Sequence, residues 1–200
     1  PLEGADAVLY GTDDDDNAGF AVASAGDVNA DGYADVVIGA PAAAYWGDEL
    51  EGRYEVGHTT GAATIVLGPI VSDMQLDQSD AWFQGTSIDY DRYNISAGWS
   101  VAGVGDTNGD GFDDVLVGDP EYLRHQKGDV WGYGMAGLFL GPISGVTDLC
   151  SADATWFYGG AHASTGYDVA AAGDVNGDGL ADLLIGSPYG GIAGLAGGEV

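Results

Sequence analysis

The chain has almost no positive charge: 4 Lys or Arg stand against 32 Asp or Glu in 200 residues, a formal net charge of −28. Four cations cannot form a basic patch, which excludes nucleic acid as a partner and argues against an anionic membrane surface. Cysteine is nearly missing as well. Cys150 alone allows no intramolecular disulfide and no multi-cysteine metal site, and its surroundings read as a buried or half-buried position on a strand-like segment. No stretch reaches the roughly 18 consecutive apolar residues of a spanning helix, so no membrane span is expected. Helix signals are almost absent, since no window keeps a 3.6-residue period between caps. There is no initiating Met at Pro1 and no leader is visible, which fits a processed or excised segment.

Glycine and aspartate are abundant. The chain holds 36 Gly, 26 Asp and only 6 Glu, with 46% hydrophobic residues. That hydrophobic share supports a real core. Gly without a triplet period points to many tight turns, and Asp favours turns and metal loops over helix interiors. Part of the acidity reads as a solubilising surface.

An internal repeat organises the sequence. Residues 19–41 (GFAVASAGDVNADGYADVVIGAP), 98–120 (GWSVAGVGDTNGDGFDDVLVGDP) and 166–188 (GYDVAAAGDVNGDGLADLLIGSP) align without a gap. A second segment precedes each copy, at 5–11, 79–85 and 152–159, and a third follows the first two, at 63–70 and 136–143. Runs such as Val36-Val37-Ile38 and Leu183-Leu184-Ile185 end in Gly and read as short strands. The expected fold is all-β, with β-propeller blades of four antiparallel strands. The expected boundaries are an outer strand of an incomplete blade at 1–11, repeats at 12–85 and 86–159, and a truncated repeat at 160–200. Together they form one array of about three repeats.

The aromatic after Gly (Phe20, Trp99, Tyr167), the acidic loop and the closing Gly39-Ala40-Pro41 resemble the FG-GAP repeat. That repeat builds the β-propeller of integrin α subunits and many bacterial surface proteins. The later copies close with Gly118-Asp119-Pro120 and Gly186-Ser187-Pro188, which keep the turn-forming Gly and Pro. The resemblance implies a secreted or cell-surface protein that binds partners through variable loops.

Each acidic loop sets oxygen-bearing side chains at positions 1, 3, 5 and 9, with Gly at the bend. Like charges this close repel unless a cation lies between them. Hard oxygen ligands favour Ca²⁺, with a backbone carbonyl at position 7 completing the set. The first loop assigns Asp27, Asn29, Asp31 and Asp35 as side-chain ligands and Tyr33 through its carbonyl. The second assigns Asp106, Asn108, Asp110, Asp114 and Phe112, and the third Asp174, Asn176, Asp178, Asp182 and Leu180. About three Ca²⁺ are expected. An EF-hand is excluded, because position 12 is Ile38, Val117 or Ile185 instead of Glu.

Other clusters carry weaker signals. Residues 13–17 (DDDDN) read as a solvated variable loop, and His58, His125 and His162 share no ligand spacing. Tyr45, Trp46, Tyr54, Tyr122, Trp131 and Tyr133 read either as a binding surface or as aromatics packing the long loops onto the blades. The leading functional reading is a non-catalytic, calcium-stabilised propeller segment for adhesion, protein binding or surface assembly. The alternatives are a hydrolase or lyase on the propeller face, using carboxylates such as those of Asp89 and Asp91, and a glycan-binding module. Three blades are too few to close a ring, since propellers usually have four to eight. The chain is therefore expected to belong to a longer propeller or to self-associate, with 5–11 of one copy completing the last blade of another.

Overall fold

The computed structural model describes residues 6–43, 60–85, 96–126, 129–132, 134–157 and 163–190. In chain order the strands are β1 (Leu9–Tyr10), β2 (Ala21–Gly26), β3 (Asp35–Ala40), β4 (Ala62–Val66), β5 (Met74–Gln75), β6 (Ala81–Gln84), β7 (Ser100–Gly105) and β8 (Asp114–Asp119). They continue with β9 (Leu123–Gln126), β10 (Asp129–Gly132), β11 (Met135–Phe139), β12 (Gly145–Asp148), β13 (Ala154–Trp156), β14 (Asp168–Gly173) and β15 (Asp182–Gly186). Two single 3₁₀ turns, Leu76–Gln78 and Leu149–Ser151, are the only helical pieces among the described residues. No described helix is long and apolar enough to cross a membrane.

The chain is all-β and forms propeller blades. β2, β3, β4 and β6 make the first as an antiparallel meander, β7, β8, β11 and β13 make the second, and β14 with β15 begins the third. The β9–β10 hairpin is an insertion within the second blade.

One element was not anticipated from the sequence. β12 leaves the second blade between β11 and β13 and pairs in parallel with β6, so the first sheet has five strands in the order β12-β6-β4-β3-β2. β5 makes the same kind of parallel pairing with β1. β1 therefore stands to β5 as β6 stands to β12, and the strand within 5–11 has a partner in its own chain. Residues 198–200, expected to pair with a second copy's 5–11, lie outside the described residues.

The blades stack face to face, and alternation along each strand divides its side chains between two cores. On β8, Val115 and Val117 enter a core shared with the first blade, and Leu116 enters one shared with the third. On β3, Val37 points to the second blade while Ile38 points to a cluster holding Leu9, Leu76 and Met74. Phe83 stacks on Phe139 across the interface, with centroids 4.0 Å apart. Fully burying a side chain of this size stabilises by about 1.5–3 kcal/mol. β8, buried along its whole length, therefore carries more packing than β14, which is buried only at Val169. The closing Gly118 lies where the second and third blades approach too closely for a side chain, because a Cβ there would sit 2.1 Å from the Gly166 carbonyl oxygen. The motif aromatics form a ladder across the blades: Phe20 to Trp99 at 4.8 Å and Trp99 to Tyr167 at 5.8 Å.

Candidate metal centres

A β-bulge precedes every acidic loop, with register shifts at Ser24/Gly26, Gly103/Gly105 and Ala171/Gly173. Beyond the bulge each loop curls around its own oxygens. In the first, Asp27 Oδ1 accepts the Asp31 N–H at 3.0 Å and Oδ2 accepts the Gly32 N–H at 2.9 Å. Asn29 Oδ1 accepts the Asp31 N–H at 3.0 Å, and Asp31 Oδ1 accepts the Tyr33 N–H at 2.9 Å.

The second loop repeats these bonds at the same offsets. Asp106 accepts from Gly111, Asn108 from Asp110 and Asp110 from Phe112, at 2.9, 2.9 and 3.0 Å. In the third, Asp174 accepts from Gly179, Asn176 from Asp178 and Asp178 from Leu180, at 2.9, 2.8 and 2.9 Å. The position-6 glycines take φ of 91°, 91° and 88°, a left-handed bend that a side chain would strain. Amide donors, the Gly111 N–H foremost, hold Asp106 below the usual carboxylate range. Backbone dipoles thus offset part of the repulsion within each loop.

The position-9 aspartates stand at the start of β3, β8 and β15 and act as anchors. Asp35 Oδ2 accepts the Val28 N–H and Oδ1 the Gly68 N–H, both at 2.8 Å, which ties the loop to the exit of β4. Asp114 takes the Thr107 N–H, the Thr107 hydroxyl and the Gly141 N–H. Asp182 takes the Val175 N–H at 2.9 Å. Burial raises the Asp35 pKa, and the Gly68 and Val28 amides oppose it.

Among the described residues no three His, Cys, Asp or Glu side chains converge in a metal-holding cluster. The loop carboxylates face their own amides. Each carboxylate oxygen that accepts one amide nevertheless keeps a further lone pair, and the donors are all hard oxygens. That donor set fits a Ca²⁺-type ion and suits no soft metal.

Two expectations are corrected, that for 13–17 only at Asp16, and the alternative left open for Tyr122 is decided. Within 13–17, Asp13, Asp14 and Asp15 are exposed, but Asp16 is 5% exposed and its carboxylate accepts the Asp13 N–H. Desolvation raises its pKa. Tyr122 is a core residue and not part of a binding surface, since it lies in the first inter-blade core with its ring 5.6 Å from Phe157. Cys150 is exposed on a 3₁₀ turn, where its neighbour Leu149 takes the buried place. Tyr45, Trp46, Tyr54, Tyr133, His58, His162, Asp89 and Asp91 lie outside the described residues, as do the side chains of Trp131 and His125.

Asp119 is the group that the sequence reading passed over. It is fully buried at the end of β8, and its Oδ1 accepts the Ser96 N–H, the Ser96 hydroxyl and the Glu121 N–H at 3.1, 3.2 and 3.2 Å. Its Oδ2 is buried without a partner. Desolvation pushes the pKa up to about 7, against the opposing pull of the Ser96 and Glu121 donors. A signal for it was present: where Ala40 becomes Asp119 or Ser187, Ser96 or Thr165, in the turn that leads into β7 or β14, supplies its polar partner.

A carboxylate whose pKa is raised by folding contributes stability below its unfolded pKa and loses it as pH rises through the folded value. The stability gap between native protein and Asp119→Asn is therefore expected to shift in favour of the variant from pH 4 to pH 7. Denaturant unfolding in chelator across that range measures it, and a pH-independent gap would contradict the assignment.

Stacked antiparallel blades, each with an acidic hairpin loop at the same place, define a β-propeller repeat array. Residues 18–64, 97–133 and 165–200 match the FG-GAP repeat, and the chain belongs to the FG-GAP repeat family. It is similar to integrin alpha pat-2 of Caenorhabditis briggsae, 28% identical over 170 residues covering 80% of this chain and 12% of the relative. Integrin alpha-3 of Cricetulus griseus is 26% identical over 163 residues, covering 74% of this chain and 15% of the relative. Phosphatidylinositol-glycan-specific phospholipase D of Bos taurus is 32% identical over 182 residues, covering 86% and 18%. The chain thus spans between 12% and 18% of the length of these relatives.

Proposed function

We propose that the chain is a calcium-stabilised segment of an extracellular, secreted or surface-held β-propeller, used for adhesion, protein binding or surface assembly and without chemistry of its own. The observation that carries this reading is the same carboxylate-to-amide network in three loops. Bound Ca²⁺ supplies the positive charge that balances each loop's carboxylates. Asp27, Asn29 and Asp31, with their counterparts Asp106, Asn108, Asp110, Asp174, Asn176 and Asp178, would hold it. The carbonyls of Tyr33, Phe112 and Leu180 and the anchors Asp35, Asp114 and Asp182 would complete the sets. A protein or glycan partner would meet the variable loops between strands, and the open blade faces suit a longer propeller or self-association.

Calorimetric titration of chelator-stripped protein is expected to give close to three Ca²⁺ equivalents, falling to two in Asp110→Ala. No heat of binding would overturn the calcium reading, and an unchanged stoichiometry in the variant would overturn the ligand assignment.

The phospholipase D relative favours a second reading, a hydrolytic site on the propeller. Asp119, the carboxylate pushed into the neutral range, does not serve it, since its burial keeps substrate away.

A further inference from the structure

We propose that Asp113 is a positioning residue that couples the first acidic loop to the second, so that a cation in either loop strengthens binding in the other. This rests on reading the loops as calcium sites. Asp113 stands at position 8 of its loop, between the carbonyl donor Phe112 and the anchor Asp114, and takes no ligand position itself. Only the second copy has a carboxylate there, because Ala34 and Ala181 occupy the place in the other two.

The geometry closes a two-bond bridge between blades. The Asp113 N–H donates to the Asp27 carbonyl at 3.2 Å, and Asp113 Oδ2 accepts the Asp27 N–H at 2.7 Å. Asp27 is position 1 of the first loop, and its own carboxylate gathers the Asp31 and Gly32 amides. The bridge depends on Gly26, where a Cβ would lie 2.1 Å from Asp113 Oδ2. Between the second and third loops only half of it exists: the Ala181 N–H donates to the Asp106 carbonyl at 3.0 Å. The matching space at Gly105 is met only by the Ala181 Cβ, 3.3 Å from an added Cβ.

The consequence is reciprocal and local. A cation that orders Phe112 and Asp114 fixes Asp113, which then holds the backbone of Asp27 before the first loop closes. Linkage requires the reverse effect to be equal. The Asp113 charge also lies between two loops that would each hold a dication, and so offsets their repulsion. The pair formed by the second and third loops lacks both contributions.

The test uses Ca²⁺ calorimetry on the full chain with one loop silenced at a time. Silencing the second loop by Asp110→Ala should weaken the first about fivefold or more, the usual lower end of site-to-site coupling. In Asp113→Ala that dependence should vanish while three equivalents still bind. Asp113→Asn, which keeps an acceptor oxygen, should retain most of it. Silencing the third loop by Asp178→Ala should leave the second unchanged, and Ala181→Asp should make that pair interdependent.

Amide exchange of Asp27 in chelator supplies a cation-free readout: protected in the native chain, faster in Asp113→Ala. Absence of Ca²⁺ binding with Asp27 protected would overturn the calcium reading, and the coupling with it, while leaving the bridge. Three bound ions with a first loop indifferent to the second, or a coupling that survives Asp113→Ala, would overturn the proposal alone.

Discussion

Chelation is expected to lower the melting temperature steeply, and adding back Ca²⁺ should raise it in proportion to the logarithm of its concentration. An ion that binds only the folded state stabilises by about 2.7 kcal/mol at one hundred times its dissociation constant. Three sites would then contribute about 8 kcal/mol, a large share of the roughly 5–15 kcal/mol that holds a typical domain folded. The effect should be selective. Mg²⁺ prefers a tight octahedron and retains its waters, so equimolar Mg²⁺ should recover far less. The exposed loops also predict sensitivity to salt in the chelated protein, where unbalanced carboxylates repel at low ionic strength. Calorimetric melts across Ca²⁺ and Mg²⁺ series, and across a salt series in chelator, measure the three effects, and a melting temperature indifferent to chelator would remove the basis for the calcium sites.

Asp114→Ala is expected to cost about 3–6 kcal/mol even without calcium. Asp114 is fully buried and serves the Thr107 N–H, the Thr107 hydroxyl and the Gly141 N–H. The Gly141 N–H is buried and the two Thr107 donors are half-buried; a buried donor left unpaired costs about 1–3 kcal/mol, a half-buried one less. Asp182 gives the internal comparison. It is half-buried and takes one amide and a long bond from the Asn176 side chain, so Asp182→Ala should cost clearly less. Urea unfolding in chelator, extrapolated to water, compares the two. Losses near zero in both variants would mean that position 9 acts only through a cation, and equal losses of several kcal/mol would mean that burial does not set the cost.

The position-9 contrast also shows what the sequence reveals and what it hides. The three loops, their spacing and the glycine bend are legible because each ligand is a particular residue type at a fixed offset. The strands beside them are legible because burial on both faces selects apolar runs such as Val115-Leu116-Val117. The parallel pairing of β12 with β6 is not, because it is made by backbone groups. Gly145–Asp148 is almost wholly exposed and carries no alternation to betray a strand. Cys150 was misplaced, and Tyr122 was left open between surface and core, for related reasons. A one-residue offset in a 3₁₀ turn exchanges the inward place with Leu149, and a loop aromatic is indistinguishable from a core aromatic until its neighbours are known. Asp119 sat in a motif position read as a mere turn, although its polar partner Ser96 was visible just ahead of β7.

The pairing of β12 with β6 bears on how the chain is made. As the polypeptide emerges from the ribosome, β6 ends at Gln84, and the strand that covers its edge begins only at Gly145, after nearly all of the next blade. Until then the nascent first blade presents an uncovered row of backbone donors and acceptors, the kind of edge that recruits neighbouring strands. The first blade is thus finished by the second, as β1 is covered by β5 of the first. A truncation placed between repeats, however well it respects their boundaries, strands the preceding sheet in that half-made state. Soluble fragments of this chain should therefore end beyond Asp148 instead of at Gln84.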